Sequence, residues 1–293
     1  MARRPVVLGL LRDRTRRILT SPVPCVKRQV DAPGDRFTAR SSRVREDAER
    51  DPPTHAPVSG AGESGRRRTG TRVCHVDPGR PATTLNTPSG PITTAFVKDP
   101  VAGPVALRTL GLDGDSQVNT RYHGGPDRTL CVYPGEHYAH WAERLGRSLP
   151  PASFGENLTT RGLLEDEVEI GGTYAVGDAV VQVSQPREPC HKLAGRHGVG
   201  QLAAWVKRSG RTGFYLRVLE EGVVSPGDAI LPVSRPAAGV TVAELNRVTY
   251  RDRRDLEGLE RAAGAEGLEA GWRSRLERLH RKAEAARALA STD

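Results

Sequence analysis

No run of apolar residues in this 293-residue chain approaches the ~18–20 that a membrane-spanning helix needs, which excludes a helical membrane protein. Cysteine is scarce. The four present (Cys25, Cys74, Cys131, Cys190) are widely spaced and form no CxxC pair. That is too few for a disulfide scaffold and the wrong spacing for a structural zinc site or a four-cysteine iron–sulfur cluster; it fits a reducing cytoplasm. No GxSxG elbow and no Walker loop occurs. Most of the chain also lacks net charge. Residues 1–72 hold 17 Lys and Arg against 8 Asp and Glu, while the remainder holds 27 of each, so the whole excess of +9 sits in the leader. The body makes no general claim on phosphate backbones, and no specific nucleic-acid partner is expected.

What is present divides the chain in three. Residues 1–72 are dominated by Pro, Gly, Ser, Arg and Asp without sustained periodicity, and are expected to be a disordered basic leader. Arg3-Arg4 before a short apolar stretch faintly suggests a secretion signal, but Arg12-Asp13 breaks that stretch, and export is not expected. An extension without a role and a nonspecific anion-binding tail stay open. Residues 73–236 show short apolar runs punctuated by Gly and Pro. Strands are expected at 92–97, 105–107, 168–170, 174–176, 180–184, 214–219 and 230–233, with hairpin connections at Gly171-Gly172 and Glu221-Gly222. Two helices are expected among them, one carrying Tyr138, Trp141, Ala142 and Leu145 and closed by Gly146, the other at 199–208. The predicted fold is mainly β, an antiparallel β-barrel with a few helices. Residues 237–293 read as a small three-helix bundle. Thr241-Val-Ala-Glu244 is a capping box, Leu256 and Leu259 mark a second helix, and Leu268, Trp272, Leu276 and Leu279 share one face of a third. Its Arg/Glu-rich outside is a solvated surface or a docking platform for a redox partner or a second subunit.

The chemistry centres on Val180 to Lys192. A strand with Val181 and Val183 on one face runs into Pro186 and Pro189, neither of which can extend a hydrogen-bonded ladder. Cys190 therefore lies on a rigid loop past a strand end, between Arg187 and Lys192. An ordinary thiol, with a pKa of ~8.5, is only a few per cent thiolate at neutral pH; nearby cations or a metal favour the reactive form, while Glu188 opposes them. A buried, inert cysteine is the plain alternative. Polar clusters lie in five loops: Leu112 to Asp115, His123 to Arg128, Phe154 to Asn157, the cysteine loop, and Gly210 to Gly213, all but the cysteine loop with glycines among or beside the charged residues. Such clusters suit backbone-mediated anion binding, and five of them argue for a shared pocket. Gly198-Val-Gly200-Gln-Leu-Ala203 matches a dinucleotide fingerprint but follows no strand. His137 and His140 lack the glutamate of HExxH. Neither carries a reading.

At His123-Gly-Gly-Pro-Asp-Arg128, Phe154-Gly-Glu-Asn157 and Val183-Ser-Gln-Pro-Arg-Glu-Pro-Cys190-His-Lys192 the chain resembles the MOSC-domain family, in particular its YiiM-like branch, from about Val73 onward. The resemblance implies a mainly antiparallel barrel followed by the C-terminal helices. It also implies a molybdenum–pterin cofactor with Cys190 as the protein's metal ligand, and reduction of N-hydroxylated compounds, hydroxylaminopurines included, to amines. A soft thiolate suits a metal already held by sulfur. By side-chain chemistry Arg187, Lys192 and Arg211 would face the cofactor's phosphate or pterin, Asn157 and Asp127 would bond pterin nitrogens, and His123 is a proton donor or pocket wall. Arg128 joins the cofactor-binding set, or pairs with Asp127 structurally. The small N-hydroxylated substrate and a separate flavin or iron–sulfur reductase are the implied partners, and a homodimer stays open. Two rivals remain: a persulfide carrier on Cys190 that serves cofactor assembly, and a cofactor-binding module without catalysis.

Overall fold

The computed structural model describes residues 70–79, 83–87, 90–115 and 125–291; residues 1–69 of the leader and His123 lie outside them, and Arg72, placed in the leader by sequence, opens the first strand. Seven strands form the main sheet: β1 (Arg72–Val76), β6 (Leu130–Pro134), β7 (Leu158–Arg161), β8 (Thr173–Val176), β9 (Ala179–Pro186), β10 (Phe214–Glu220) and β12 (Ile230–Ser234). Their spatial order is β1-β7-β6-β10-β9-β8-β12. Two small sheets accompany it. One joins β11 (Gly222–Val224), β4 (Val105–Arg108) and β5 (Gly111–Leu112), and the other is the hairpin of β2 (Thr83–Thr87) and β3 (Gly90–Thr94).

The main sheet curls into a half-open barrel. Its two edges approach at one end, where Val73 N donates to Asp228 O and Ile230 N to Thr71 O, each at 2.9 Å. The expected antiparallel barrel holds with one modification: β6 and β7 run parallel, because helix α1 (His137–Leu145) carries the chain back between them. That helix has the expected face, with Trp141 buried and Gly146 as its cap. The expected strand at 168–170 is absent. Val168 N bonds Leu164 O and Ile170 N bonds Val240 O, so this stretch is a buried turn. Neither proposed hairpin forms. Gly171 N and Gly172 O both pair with Val183 of β9, and β11 leaves β10 to pair with β4.

Alternation along the strands directs one face of the sheet inward, placing Val73, Val132, Val181, Val183, Phe214 and Leu216 in a common core. The same core includes Leu245, Leu259, Trp272 and Leu276 from the C-terminal helices α4 (Val242–Asn246), α5 (Leu256–Ala263) and α6 (Ala270–Ala290). The capping box is borne out at its first half: Thr241 Oγ1 accepts from Glu244 N at 3.1 Å. Trp272 and Leu276 recur four apart on α6 and are both buried, so a single helical face attaches this segment to the barrel. Two helices follow the cysteine loop, α2 (Lys192–His197) and α3 (Leu202–Ser209). The β2–β3 hairpin lies on α2, and only a glycine permits that approach: a Cβ on Gly195 would stand 2.7 Å from Asn86 O.

Candidate functional site

Strand β10 supplies the floor of the site. Tyr215 pairs with Cys131 of β6 on one side and with Gln185 of β9 on the other. Directly paired residues point to the same face, so these three side chains form a row across three strands, opposite to the core-facing Val132 and Phe214. All three line a cleft of about 1160 Å³.

One wall is the loop that β9 runs into. Arg187 anchors it: its backbone N donates to Gly213 O at 3.0 Å and its Nη2 to Phe154 O at 2.5 Å. The side chain lines the cleft, yet its buried Nη1 has no hydrogen-bond partner among the described residues. Such a group costs stability when left without an acceptor. Cys190 is a free, half-buried thiol lining the same cleft, and its carbonyl accepts from Leu193 N at 3.1 Å to open α2. His191 and Lys192 line it too. Burial lowers the pKa of Lys192, and the neighbouring Cys190 thiol opposes that shift.

The facing wall is a buried polar network. Lys98 Nζ sits 2.9 and 3.0 Å from the two oxygens of Asp115, which also accepts from Gly79 N at 2.8 Å and from Asn157 Nδ2 at 2.6 Å. Asn157 Oδ1 accepts in turn from Cys131 N at 3.0 Å. Both ends of the Asn157 amide are thus occupied in building the wall. Burial pushes the Cys131 thiol up to about 11, so it stays protonated at neutral pH. Phe96 closes this side by lying on Gly155, where φ is +75° and a Cβ would strike its ring at 2.5 Å.

The last wall comes from the C-terminal helices. The Gln185 amide, oriented to satisfy its neighbours, accepts from Trp272 Nε1 at 3.2 Å and Arg128 Nε at 3.3 Å. Glu188 of the cysteine loop meets Arg275 Nη1 at 3.1 Å and Lys207 Nζ at 3.7 Å.

Of the residues singled out by sequence, Cys190, Arg128, Asn157, Arg187 and Lys192 come together around the cleft. Two others do not. Asp127 instead pairs with Arg217 Nε at 2.8 Å, and Arg211 contributes its carbonyl to Tyr133 Oη at 3.1 Å outside the cleft. Four of the five polar loop clusters supply lining residues; the Gly210 to Gly213 turn serves from behind by accepting from Arg187 N. Lys98, Cys131, Gln185, Tyr215 and Trp272 also line the cleft, though no sequence motif marks them as site residues. Only strand register, unknowable until pairing is fixed, would have grouped Cys131, Tyr215 and Gln185. The competing signals fall away on geometry. His137 is buried against Glu165 at 2.7 Å, and the Gly198-containing stretch joins two helices rather than a strand and a helix.

The arrangement offers a free, half-buried thiol, a guanidinium nitrogen without a partner among the described residues, and five cationic side chains (Lys98, Arg128, Arg187, Lys192, Lys207) against the carboxylates of Asp115 and Glu188. It suits a polyanionic ligand with a soft, thiol-seeking centre.

Comparison with known proteins agrees. Residues 119–231 match the MOSC domain, and residues 240–282 match the YiiM-like, 3-alpha helix domain. The chain is 45% identical to YflK of Bacillus subtilis (strain 168) over 202 residues, covering 69% of this chain and 91% of that protein. It is 39% identical to YiiM of Escherichia coli (strain K12) over 183 residues, 61% of this chain and 81% of the relative. A protein of Gibberella moniliformis (strain M3125 / FGSC 7600) named "Reductase" is 36% identical over 167 residues, 54% of this chain and 29% of that protein. The crystal structure of YiiM from Geobacillus stearothermophilus superposes with a TM-score of 0.61 at 35% identity, covering 72% of this chain and 99% of that one.

Proposed function

This chain belongs to the MOSC-domain family, in its YiiM-like branch, and on that premise we propose that it reduces N-hydroxylated compounds to amines, with Cys190 as the protein ligand to a molybdenum–pterin cofactor. Membership of the family and a relative named as a reductase support the coarser statement, an oxidoreductase connected with the molybdenum cofactor. One observation carries the finer one: the Cys190 thiol and the orphaned Arg187 Nη1 line a single cleft.

The residues fit the group. Cys190 would hold the metal, and Arg187, Arg128 and Lys192 would face its anionic portion, Arg187 through Nη1, which has no acceptor among the described residues. When bound, the cofactor would supply the two-electron chemistry that cleaves the N–O bond. The chain's own part is to bind, to exclude water and to hold protons. Phe96 and Trp272 cover the cleft with apolar surface, and Lys98 and Asp115 place a buried ion pair on its wall. Electrons would come from a separate reductase of the flavin or iron–sulfur class, and the setting would be the cytoplasm.

Protein produced in a host that makes the cofactor should contain molybdenum and a pterin oxidation product, and should convert a hydroxylaminopurine to the amine. Cys190→Ala should abolish turnover and leave the fold intact. Absence of both metal and pterin would overturn the proposal. A stable persulfide on Cys190 in metal-free protein would assign it to sulfur transfer instead.

A further inference from the structure

Behind the Lys98 wall lie two carboxyl groups to which binding of the cofactor assigns nothing. Asp77, just past β1, is fully buried, and neither of its carboxyl oxygens has a hydrogen-bond partner among the described residues. Glu156 is also fully buried, but it is surrounded by donors: Phe154 N at 3.0 Å, Thr159 Oγ1 at 3.1 Å and the Tyr138 hydroxyl. The groups that act on Asp77 are Glu156 from the turn before β7, Thr159 from β7 itself, and Lys98 and Asp99 from the segment after β3.

Two carboxylates in one low-dielectric pocket cannot both ionise cheaply. The donors decide which one keeps the charge. Burial raises the Glu156 carboxyl as well as that of Asp77, so the pair holds a proton between them. Three donors converge on Glu156 and favour the anion there, whereas Asp77 has no donor at hydrogen-bond distance among the described residues and feels only a lesser downward pull from Thr159, so the shared proton rests more readily on Asp77. Burial first, and the Glu156 charge second, push Asp77 up to about 8, with Lys98 opposing them. The pair also abuts the site. Asp77 N donates to Asn157 O at 2.8 Å, Asn157 directly follows Glu156, and its amide bonds the cleft-lining Asp115. Lys98, whose charge opposes that of Asp77, is the residue that faces Asp115 across that wall.

We propose that Asp77 and Glu156 form a buried proton store behind the Lys98–Asp115 wall, holding a proton that the reduction consumes. The inference rests on the reaction proposed above. An N-hydroxylated compound takes two electrons from the flavin or iron–sulfur reductase and two protons from the protein and solvent; the N–O bond breaks, the nitrogen is reduced to the amine, and the oxygen leaves as water. Asp77 touches no substrate and acts through the wall, so it is a positioning residue.

Asp77→Asn tests this cleanly, because an amide copies the shape and neutrality of a protonated acid. Infrared spectra of the purified full chain should show, near pH 7, the carbonyl stretch of a protonated carboxylic acid; it should fade as pH rises through about 8 and be missing from the variant. In the holoprotein, with a hydroxylaminopurine as substrate, the variant should turn over about tenfold more slowly near neutral pH. Its rate should also lose the alkaline limb that the parent protein shows near pH 8. Absence of the band in the parent protein overturns the store whatever the kinetics. A variant with the parent's rate and pH profile overturns it as well, leaving Asp77 a structural acid. If the parent protein reduces no N-hydroxylated compound, the proposed reaction fails and takes the store's role with it; the band, read without substrate, shows which of the two was wrong.

Discussion

A guanidinium buried with one nitrogen unanswered is an expense that a fold keeps only for a reason. Arg187 is 4% exposed, holds Phe154 O with Nη2, and has no acceptor for Nη1 among the described residues. An anionic ligand would supply the missing acceptor, which gives Arg187→Met a definite outcome: weaker retention of the cofactor through gel filtration, by at least about tenfold, as expected for loss of a charge-assisted bond of ~1.5–3 kcal/mol. Unchanged retention would remove Arg187 from the binding set. Asp77 permits a prediction of stability. Its folded pKa, about 8, exceeds the ordinary carboxyl value of 3.8, so the folded state holds the proton more tightly than the unfolded chain does. The stability this contributes is complete below about pH 4 and is lost as pH rises through about 8. Urea midpoints measured from pH 5 to pH 9 should therefore fall with pH, on Asp77's account, and Asp77→Asn should flatten that slope; identical slopes would show that the carboxyl is ionised throughout.

At the scale of elements, the decisive unit is β9, its loop and α2. The strand and the loop could be read from the chain, since β-branched alternation and two prolines are local signals. Helix α2 could not. Lys192–His197 is too short to show a period and contains Gly195, so it looked like loop; it forms because its buried Leu193 and Ala194 have the hairpin and α3 to pack on. Strand β6 escaped for a related reason: Leu130–Pro134 is buried at every position, with no alternation to detect. At 168–170 the case is the opposite: Val168 and Ile170 alternate about Glu169 as in a strand, but both are buried in a turn. Helix α6 contributes more to the site than its Arg/Glu-rich outer face suggests. It closes the cleft with Trp272 and steadies the cysteine loop through Arg275 and Glu188. Leu276→Ala, at a fully buried position in the shared core, should cost about 2–5 kcal/mol in chemical unfolding of the whole barrel. A loss confined to helix signal, with the barrel's transition unmoved, would show that the two unfold separately.

For the whole molecule, the cleft is assembled from segments far apart in sequence: Lys98 and Asp115, Arg128, Asn157, the loop of Arg187 to Lys192, and Trp272. That placement explains why the candidate site was legible only in outline. The charged loop residues Arg128, Arg187 and Lys192 and the thiol of Cys190 could be picked out as chemistry in search of a pocket. Asp127 and Arg211 carry equally suitable side chains, yet Asp127, in a single 3-10 turn, pairs with Arg217, and Arg211, in the turn before β10, does not line the cleft; no local pattern reveals either outcome. The floor residues Cys131, Tyr215 and Gln185 become a group only through pairing between β6, β10 and β9.

The most direct test is X-ray absorption at the molybdenum edge, comparing the loaded protein with Cys190→Ser. The parent protein should show one more sulfur neighbour to the metal than the variant, the additional one being the Cys190 thiolate. An identical sulfur shell in both would contradict the account, because the cleft would then hold its cofactor without the bond on which the proposed activity depends.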